Sequence, residues 1–367
     1  MKKLVRSGIE QLVPYPPGKP IEELERELGI TGSIKLASNE NPLGPSPKAM
    51  DAIKEKLSTL NRYPDGSGYY LKSSLSQKLG LPLDQIILGN GSNEIIELTI
   101  RTFLNPGEEA LQPFPTFLVY EKIVRAAGGK MISIPLKNFN IDLDSLKRAI
   151  GPHTKVVFIA NPNNPTGAAL SQKDLMAFLQ DIPEHLIVVL DEAYIEFVTD
   201  PEVANGLNLL EHHPHLVVLR TFSKLYGLAG LRIGYGFSSK KIIDYMNRVR
   251  QPFNVNSLAQ TAALAALDDE AFVQRTLELV RDGLKQLATG LKQMGISFMP
   301  THTNFLLIKT PLGGKATYER MLREGVIIRA MDSFGLPDHI RITVGLPEEN
   351  IRFLKAFQKI LEEEAHA

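Results

Sequence analysis

Short apolar runs alternate with helical patterns along residues 48–223 of this 367-residue chain, and few folds accommodate that order. The runs are rich in Val, Ile and Leu and end in polar residues, which is typical of strands buried on both faces of a sheet. The helical patterns between them suit crossover connections. The alternation predicts an α/β fold with a doubly wound, mainly parallel sheet and a ligand crevice beyond the carboxyl ends of the strands. The predicted strands are 85–89, 109–113, 130–136, 155–162, 185–193 and 215–223, and the predicted helices are 48–60, 68–80, 93–104, 116–127 and 171–180.

The pattern changes after residue 257. Two long helical stretches occupy 258–295, and an apolar stripe along them predicts one buried face. We therefore predict an N-terminal arm (1–30) that packs with the small domain or a partner subunit, a large ligand-binding domain (31–257) and a smaller α+β domain (258–367). Within the small domain the predicted strands are 297–300, 303–310, 326–330 and 339–345, followed by a closing helix.

Composition excludes several classes of protein. The chain has no Cys, which excludes disulfides, thiolate metal sites, iron–sulfur clusters and a Cys nucleophile. Lys plus Arg and Asp plus Glu both number 41, so no net basic field favours nucleic acid. No apolar run reaches the ~18 residues of a membrane span, and the N-terminus lacks the apolar core of a signal peptide. We expect a cytoplasmic protein without a metal, a nucleic-acid partner or a membrane partner.

The segment 85–100 reads as strand, glycine-rich turn and helix. Such a turn presents backbone N–H groups at a helix N-terminus, which suits an anion. It is not a P-loop, and Glu94 stands where a dinucleotide-binding fingerprint needs its third glycine. The alternative is a plain turn in which Ser92 or Asn93 caps the helix.

Two further strands end in polar residues. Asn164 is held between Asn163 and Pro165, where its amide could reach a ligand oxygen or serve the turn alone. Asp191 ends a buried run, and a buried carboxylate needs a partner. That partner is a cationic ligand nitrogen, or else Asp191 serves only in an ordinary structural ion pair or as a helix cap. Tyr194 is three residues further on and could donate to the same ligand.

The stretch 215–236 carries the most chemistry. A lysine that follows an apolar strand, Lys224, is expected to be partly desolvated, which lowers its pKa and makes the neutral amine nucleophilic. Thr221, Ser223 and Arg232 supply hydroxyls and a guanidinium suited to a phosphate. Taken alone, the lysine reads as a surface side chain. Together with the carboxylate, phenol and amide at the other strand ends, it matches the needs of pyridoxal phosphate.

Seven motifs make the chain resemble, almost from end to end, the fold-type-I pyridoxal-phosphate (PLP)-dependent aminotransferases, and among them the histidinol-phosphate aminotransferases. The resemblance implies a large domain with a mainly parallel central sheet flanked by helices, a smaller α+β domain, and a homodimer. The motifs are PYPPGKP (14–20), SNENPLGPSP (38–47), RYPDG (62–66), NPNNPTG (161–167), DEAYIEF (191–197), RTFSKLYGLAGLRIGY (220–235) and RITVG (341–345).

The resemblance also implies roles for the cofactor site. Lys224 forms the Schiff base with PLP, Asp191 pairs with the pyridinium nitrogen, and Asn164 and Tyr194 bind the ring hydroxyl oxygen. Phe117 covers the ring where many relatives carry Tyr, and so lacks a hydroxyl donor. The cofactor phosphate is expected to be held by Ser92 and Asn93 through their backbone N–H groups and by Thr221, Ser223 and Arg232, with Tyr63 reaching the phosphate of the neighbouring subunit. Asn93 replaces an Asp common in relatives and removes a negative charge near that phosphate.

For the substrate, the resemblance implies that Arg341 and Arg329 grip a phosphate, with Asn164 nearby and Tyr15 of the arm closing over it. Two guanidinium groups facing one phosphate are chemically reasonable. The implied reaction is a ping-pong transfer of the amino group between L-histidinol phosphate and 2-oxoglutarate, giving imidazole acetol phosphate and L-glutamate, in histidine biosynthesis.

Four alternatives remain open. An aromatic amino-acid aminotransferase and a threonine-phosphate decarboxylase share the NPNNPTG-like and Ser-Lys motifs. A nicotinamide dehydrogenase would use the loop at Gly89, but Glu94 counts against it. A regulator that carries an aminotransferase-like domain would need a DNA-binding extension, which we do not expect from the short N-terminal arm.

Overall fold

The computed structural model describes residues 4–6, 8–15, 17–211 and 213–366, so parts of the predicted arm (1–3, 7 and 16) lie outside the described residues. The strands are β1 Ile34–Lys35, β2 Ile86–Gly89, β3 Glu109–Phe114, β4 Lys130–Pro135, β5 Thr154–Ala160, β6 Ile187–Asp191, β7 Leu216–Thr221, β8 Gly234–Phe237, β9 Phe305–Lys309, β10 Val326–Ile327, β11 Arg329–Ala330 and β12 His339–Thr343. The helices are α1 Ile21–Leu28, α2 Pro47–Lys56, α3 Tyr69–Leu79, α4 Ser92–Phe103, α5 Val119–Ala126, α6 Leu143–Arg148, α7 Gln172–Gln180, α8 Lys240–Val249, α9 Ser257–Leu267, α10 Glu270–Gln293, α11 Gly314–Arg323 and α12 Pro347–Ala365.

A seven-stranded sheet in the order β2-β8-β7-β6-β5-β3-β4 forms the centre of the large domain. Strands β3 to β7 pair in parallel, whereas β8 runs antiparallel to both of its neighbours. The prediction of a mainly parallel sheet is confirmed. Strand β8 was not predicted, because two of its four residues are glycines, which are depleted in strands.

Alternate residues of the central strands feed two apolar clusters, one on each face of the sheet. In β5, Val157 and Ile159 join one cluster and Val156 and Phe158 join the other. The residues of β6 and β7 alternate between the same two clusters. Each such buried side chain contributes about 1.5–3 kcal/mol relative to exposure. Because both faces are filled, a ligand can approach only at the ends of the strands.

Two details of the predicted strands are wrong. Strand β4 is not buried on both faces: its residues are either exposed or half-buried, because it lies at the edge of the sheet and pairs only with β3. Residues 297–300 do not form a strand, since Phe298 makes only an isolated bridge to Ile308.

The C-terminal part contains a three-stranded antiparallel sheet, β11-β12-β9. The predicted strand 326–330 divides into β10 and β11, and β10 pairs in parallel with β1 near the N-terminus. Helices α10, α11 and α12 pack together, whereas α9 packs against α2 and α3. The division into 1–30, 31–257 and 258–367 stays a prediction.

Within the described ranges, none of the helices combines the length and apolar character that crossing a bilayer requires. The same ranges contain no cluster of His, Asp and Glu side chains suited to a metal ion. The cytoplasmic location stays a prediction.

Candidate active site

A cavity of about 650 Å³ lies beyond the carboxyl ends of β5, β6 and β7, and the last residue of each of these strands lines it. This is where a doubly wound sheet is expected to bind its ligand. Of the site residues predicted from the sequence, all except Tyr63 line this cavity. They are Tyr15, Ser92, Asn93, Phe117, Asn164, Asp191, Tyr194, Thr221, Ser223, Lys224, Arg232, Arg329 and Arg341.

Asp191 is the last residue of β6 and is buried. Its Oδ2 accepts a hydrogen bond of 2.7 Å from the hydroxyl of Tyr120, and its Oδ1 accepts one of 3.2 Å from the backbone N–H of Ala193. Burial raises the pKa of Asp191 to about 6. Among the described residues, Asp191 does not form the ordinary ion pair left open by the sequence, so this carboxylate can still serve a cationic group in the cavity.

Lys224 follows β7 and projects into the same cavity. Its Nζ donates to the carbonyl oxygen of Ser38 at 3.2 Å and lies 5.9 Å from the ring centre of Tyr194. Burial, assisted by the positive charge of Arg341, lowers the pKa of Lys224 to about 8. The lysine is therefore not a surface side chain, and its amine is more nucleophilic near neutral pH than an ordinary lysine.

Tyr194 and Asn164 are held by partners from distant parts of the chain. The hydroxyl of Tyr194 accepts a 2.8 Å hydrogen bond from Nδ2 of Asn39, a buried residue with a φ of 55°. Burial raises the pKa of Tyr194 to about 12, so the phenol stays neutral. Asn164 Oδ1 accepts from Arg341 Nη1 at 2.5 Å, which links the large domain to β12.

The N-terminus of α4 faces the cavity with free backbone donors. Gly91 is the N-cap residue, with a φ of 75°, and no side chain caps the helix, so the N–H groups of Ser92 and Asn93 remain available. Gly234 of β8 lies close against this turn: a Cβ there would sit 2.5 Å from the nitrogen of Ser92. Arg232 Nη2 lies beside Gly91. The turn is therefore suited to an anion, and neither Ser92 nor Asn93 caps the helix through its side chain.

Two hydroxyl side chains at the end of β7, Thr221 and Ser223, belong to the same cavity. Thr221 Oγ1 accepts a hydrogen bond of 3.1 Å from the N–H of Ser223, which turns the chain into the loop that carries Lys224. Thr221 and Ser223 are both buried and both line the cavity. They add two hydroxyl groups to the wall of the cavity, which Arg232 also lines.

Two arginines that line the cavity come from the three-stranded sheet β11-β12-β9, the small sheet. Arg329 of β11 and Arg341 of β12 are direct cross-strand partners, so their side chains leave the sheet on the same face. The guanidinium of Arg329 lies 5.7 Å from the ring centre of Tyr15. Arg341 donates to the carbonyl oxygen of Ala37 at 2.8 Å, and its buried Nε has no hydrogen-bond partner among the residues that the structure describes. A buried guanidinium with an unused donor is suited to an anionic ligand group.

Sequence patterns missed Tyr120, Asn39 and Ser38 as partners of the site. Tyr120 falls three residues after Phe117, one helical turn along, which is the one sequence signal that could have indicated it. Asn39 and Ser38 belong to the SNENPLGPSP motif, but their contacts are with residues more than 150 positions away.

The donor set fits pyridoxal phosphate. A buried carboxylate suits the ring nitrogen, an amine with a lowered pKa suits the aldehyde, and a helix N-terminus with an arginine suits the phosphate. The volume of about 650 Å³ is in the usual range for a cofactor site.

Comparison with known proteins agrees with this site. Residues 31–357 match the family model "Aminotransferase class I and II". The chain is 48% identical over 361 residues to histidinol-phosphate aminotransferase 1 of Nitrosococcus oceani, with 98% of each chain covered. It is 49% identical over 360 residues to histidinol-phosphate aminotransferase 2 of Pseudomonas fluorescens, with 98% of this chain and 97% of the relative covered.

Among solved structures, the histidinol-phosphate aminotransferase of Sinorhizobium meliloti in complex with pyridoxal 5'-phosphate superposes with a TM-score of 0.90 at 26% identity, covering 98% of both chains. The mainly parallel sheet, the cavity at its strand ends and the full-length similarity therefore lead to one assignment. The chain belongs to the class I and II aminotransferases and, within them, to the histidinol-phosphate aminotransferase family.

Proposed function

We propose that this protein transfers the amino group of L-histidinol phosphate to 2-oxoglutarate, giving imidazole acetol phosphate and L-glutamate, with PLP as cofactor. The observation that carries the proposal is a single cavity that joins Lys224 and Asp191 to a pair of arginines, Arg329 and Arg341. A substrate that is both an amine and a phosphate ester needs both ends of such a cavity. The names of the full-length relatives support the same substrate.

The cofactor, when bound, supplies an electron sink for the pair of electrons left as a proton leaves the substrate carbon. Asp191 would hold the protonated ring nitrogen through its carboxylate. Asn164 and Tyr194 would bind the ring hydroxyl oxygen, and Phe117 would cover the ring. The phosphate would be held by the backbone N–H groups of Ser92 and Asn93 and by the side chains of Thr221, Ser223 and Arg232.

Lys224 has two tasks in this proposal. Its amine would hold the cofactor covalently when no substrate is bound. In the presence of substrate, its Nζ would be free to take the proton from the substrate carbon that bears the amine. A pKa of about 8 keeps part of the lysine neutral at physiological pH, which a proton acceptor needs.

Arg329 and Arg341 would bind the substrate phosphate from one side of the small sheet. Their two guanidinium groups offer the paired donors that phosphate oxygens favour. Tyr15, whose ring lies under Arg329, would close the cavity over the substrate and exclude water.

Tyr63 would act in the neighbouring subunit of a homodimer. It does not line its own cavity: its side chain is 83% exposed and stacks on Phe253 at 4.7 Å. Phe253 is also exposed, as are Tyr69 and Tyr70, which follow Tyr63 by six and seven residues in the chain. Exposed aromatic residues of this kind are enriched at protein interfaces.

A heterodimer tests the role of Tyr63. Chains with Lys224→Ala and chains with Tyr63→Ala, co-expressed with different affinity tags, give a dimer in which Lys224 is present only in the Tyr63→Ala chain. If Tyr63 acts across the interface, the site of the Tyr63→Ala chain has its own Lys224 and receives Tyr63 from the Lys224→Ala chain. This site is then intact and binds PLP as tightly as the wild type. A Tyr63→Ala defect at that site would place the tyrosine in its own subunit's site.

The substrate is tested by a half-reaction. The purified protein, loaded with PLP, is mixed with L-histidinol phosphate alone, and the absorbance of the cofactor is followed. We expect conversion to the amine form of the cofactor, reversed by 2-oxoglutarate. Reaction with phenylalanine or tyrosine but not with histidinol phosphate would assign an aromatic amino-acid aminotransferase. Release of carbon dioxide from threonine phosphate would assign the decarboxylase.

A further inference from the structure

Tyr120 is a buried phenol beside the site that no sequence motif indicated. It is the second residue of α5 and has no exposed surface. Its ring stacks on Phe158 of β5, with ring centres 4.5 Å apart and an angle of 6° between the planes. The edge of Phe117 meets it at 5.5 Å. Two aromatic contacts from different elements hold the ring in one orientation.

The hydroxyl of Tyr120 donates to Oδ2 of Asp191 at 2.7 Å. The other oxygen of this carboxylate accepts only the backbone N–H of Ala193, at 3.2 Å. Within the described ranges, Tyr120 is thus the only side chain that donates to Asp191. Burial next to Asp191 raises the pKa of Tyr120 well above its usual value, so the phenol remains protonated and acts as a donor.

Burial, hydrogen bonds and neighbouring charges shift the pKa of Asp191 in opposite directions. Burial raises the pKa of this carboxyl to about 6, and the negative charge of Glu192 raises it further. The hydrogen bonds from Tyr120 and Ala193 and the positive charge of Lys224 lower it. Tyr120 makes the largest of these opposing contributions, so its loss favours a neutral, protonated acid.

We propose that Tyr120 is a positioning residue for the cofactor: its hydroxyl keeps the Asp191 carboxylate ionised and in one orientation, aimed at the ring nitrogen of bound PLP. This inference rests on the proposed function, because it requires the cofactor ring to lie against Asp191. With an ionised partner the shared proton stays on the ring nitrogen. Without the phenol, the proton moves towards the carboxylate oxygen, and the ring becomes a weaker acceptor of electrons.

The test uses holoenzyme reconstituted with PLP labelled with nitrogen-15 in its ring. In the wild type, the chemical shift is expected at the value of a protonated ring nitrogen, and in Tyr120→Phe it moves towards the unprotonated value. The dissociation constant of the cofactor is expected to rise roughly tenfold, as for the loss of a hydrogen bond to a charged group. Tyr226→Phe removes another buried phenol of the same domain and should match the wild type in both measurements.

A double-mutant cycle separates positioning from general packing. In an Asp191→Asn background the phenol faces a neutral amide, so adding Tyr120→Phe should change the cofactor affinity by about twofold or less. An equal change in both backgrounds, or an unchanged ring-nitrogen signal in Tyr120→Phe, would overturn the inference. If Tyr120→Phe fails to fold, 3-fluorotyrosine at this position, a stronger donor of nearly the same shape, must raise the pH at which the ring nitrogen loses its proton; an unchanged titration curve there overturns the inference as well. A wild-type protein that binds no PLP would instead overturn the proposed function.

Discussion

The two ends of the central cavity are built differently. At one end, Asp191 is the last residue of β6 and Lys224 follows the adjacent parallel strand β7, and the N-terminus of α4 lines the same cavity. At the other end, Arg329 and Arg341 come from a separate sheet and Tyr15 comes from a segment near the N-terminus. The first end is rigid, since the strands that carry it are buried on both faces. The second end joins two parts of the chain that are far apart in sequence, the segment around Tyr15 and the strand pair β11-β12.

In the proposed function, the first end would carry out the chemistry and the second end would select the substrate. The end that would hold the cofactor needs fixed geometry, which buried strands provide. The end that would hold the substrate can change its ligand through a few side chains without disturbing the central sheet. The two ends are nevertheless coupled: Arg341 donates to Asn164, and its charge is the second largest cause of the lowered pKa of Lys224, after burial.

The largest effect is expected at the first end. Lys224→Ala should lower turnover with every amino donor by roughly 10³-fold or more, because it removes both the covalent bond to the cofactor and the proton acceptor. Steady-state rates with histidinol phosphate and with a phosphate-free amine measure the loss. Lys240→Ala, at an exposed lysine on α8, is the control and should leave both rates unchanged. Wild-type turnover in Lys224→Ala would refute the role of this lysine.

At the second end the effect should depend on the substrate. Arg329→Ala should lower kcat/KM for histidinol phosphate by roughly 10- to 100-fold, as for the loss of a charge-assisted pair, and by about twofold or less for a phosphate-free amine. Arg323→Ala, on the exposed face of α11, serves as the matched control. Equal losses with the two substrates would move Arg329 out of the phosphate site.

The coupling between the ends predicts a pH dependence. Only the neutral amine of Lys224 can attach PLP, so the rate of attachment to cofactor-free protein should rise about tenfold per pH unit below pH 8 and level off above it. In Arg341→Met the plateau should begin at a higher pH, because a neighbouring positive charge is gone. Absorbance after rapid mixing from pH 6 to pH 10 measures both curves. A wild-type rate that keeps rising beyond pH 9 would contradict the lowered pKa.

The smallest effect concerns the cover of the second end. Tyr15→Leu should raise KM for histidinol phosphate by about two- to fivefold, since the contact with Arg329 is partly exposed and such contacts are weak. The affinity for PLP should not change, because Tyr15 lies at the end away from Lys224 in the proposed arrangement. Initial rates and a cofactor titration test the two statements separately. A loss of cofactor affinity would show that the two ends are not independent here.

Local patterns were sufficient for most of the cofactor end. An apolar run followed by a polar loop places Asp191 and Thr221 at strand ends, because the strand is fixed by burial and the polar residues cannot enter the core. The same reasoning failed for strand β8, whose glycines carry no burial signal, and for β4, whose apolar residues lie at an edge. Both positions are set by neighbouring strands and not by the local sequence.

The sequence by itself determined the alternating α/β order, the family and many of the residues that line the cavity, since each of these depends on short motifs. Only the tertiary structure decided how these residues pair. Tyr120 donates to Asp191 from 71 residues away, Asn39 to Tyr194 from 155, and Arg341 to Asn164 from 177. Which residues become partners is determined by the order of strands in the central sheet and by the packing of the small sheet against the central sheet. A hydrogen bond is short and directional, so it depends on those relative positions and leaves no pattern in the local sequence.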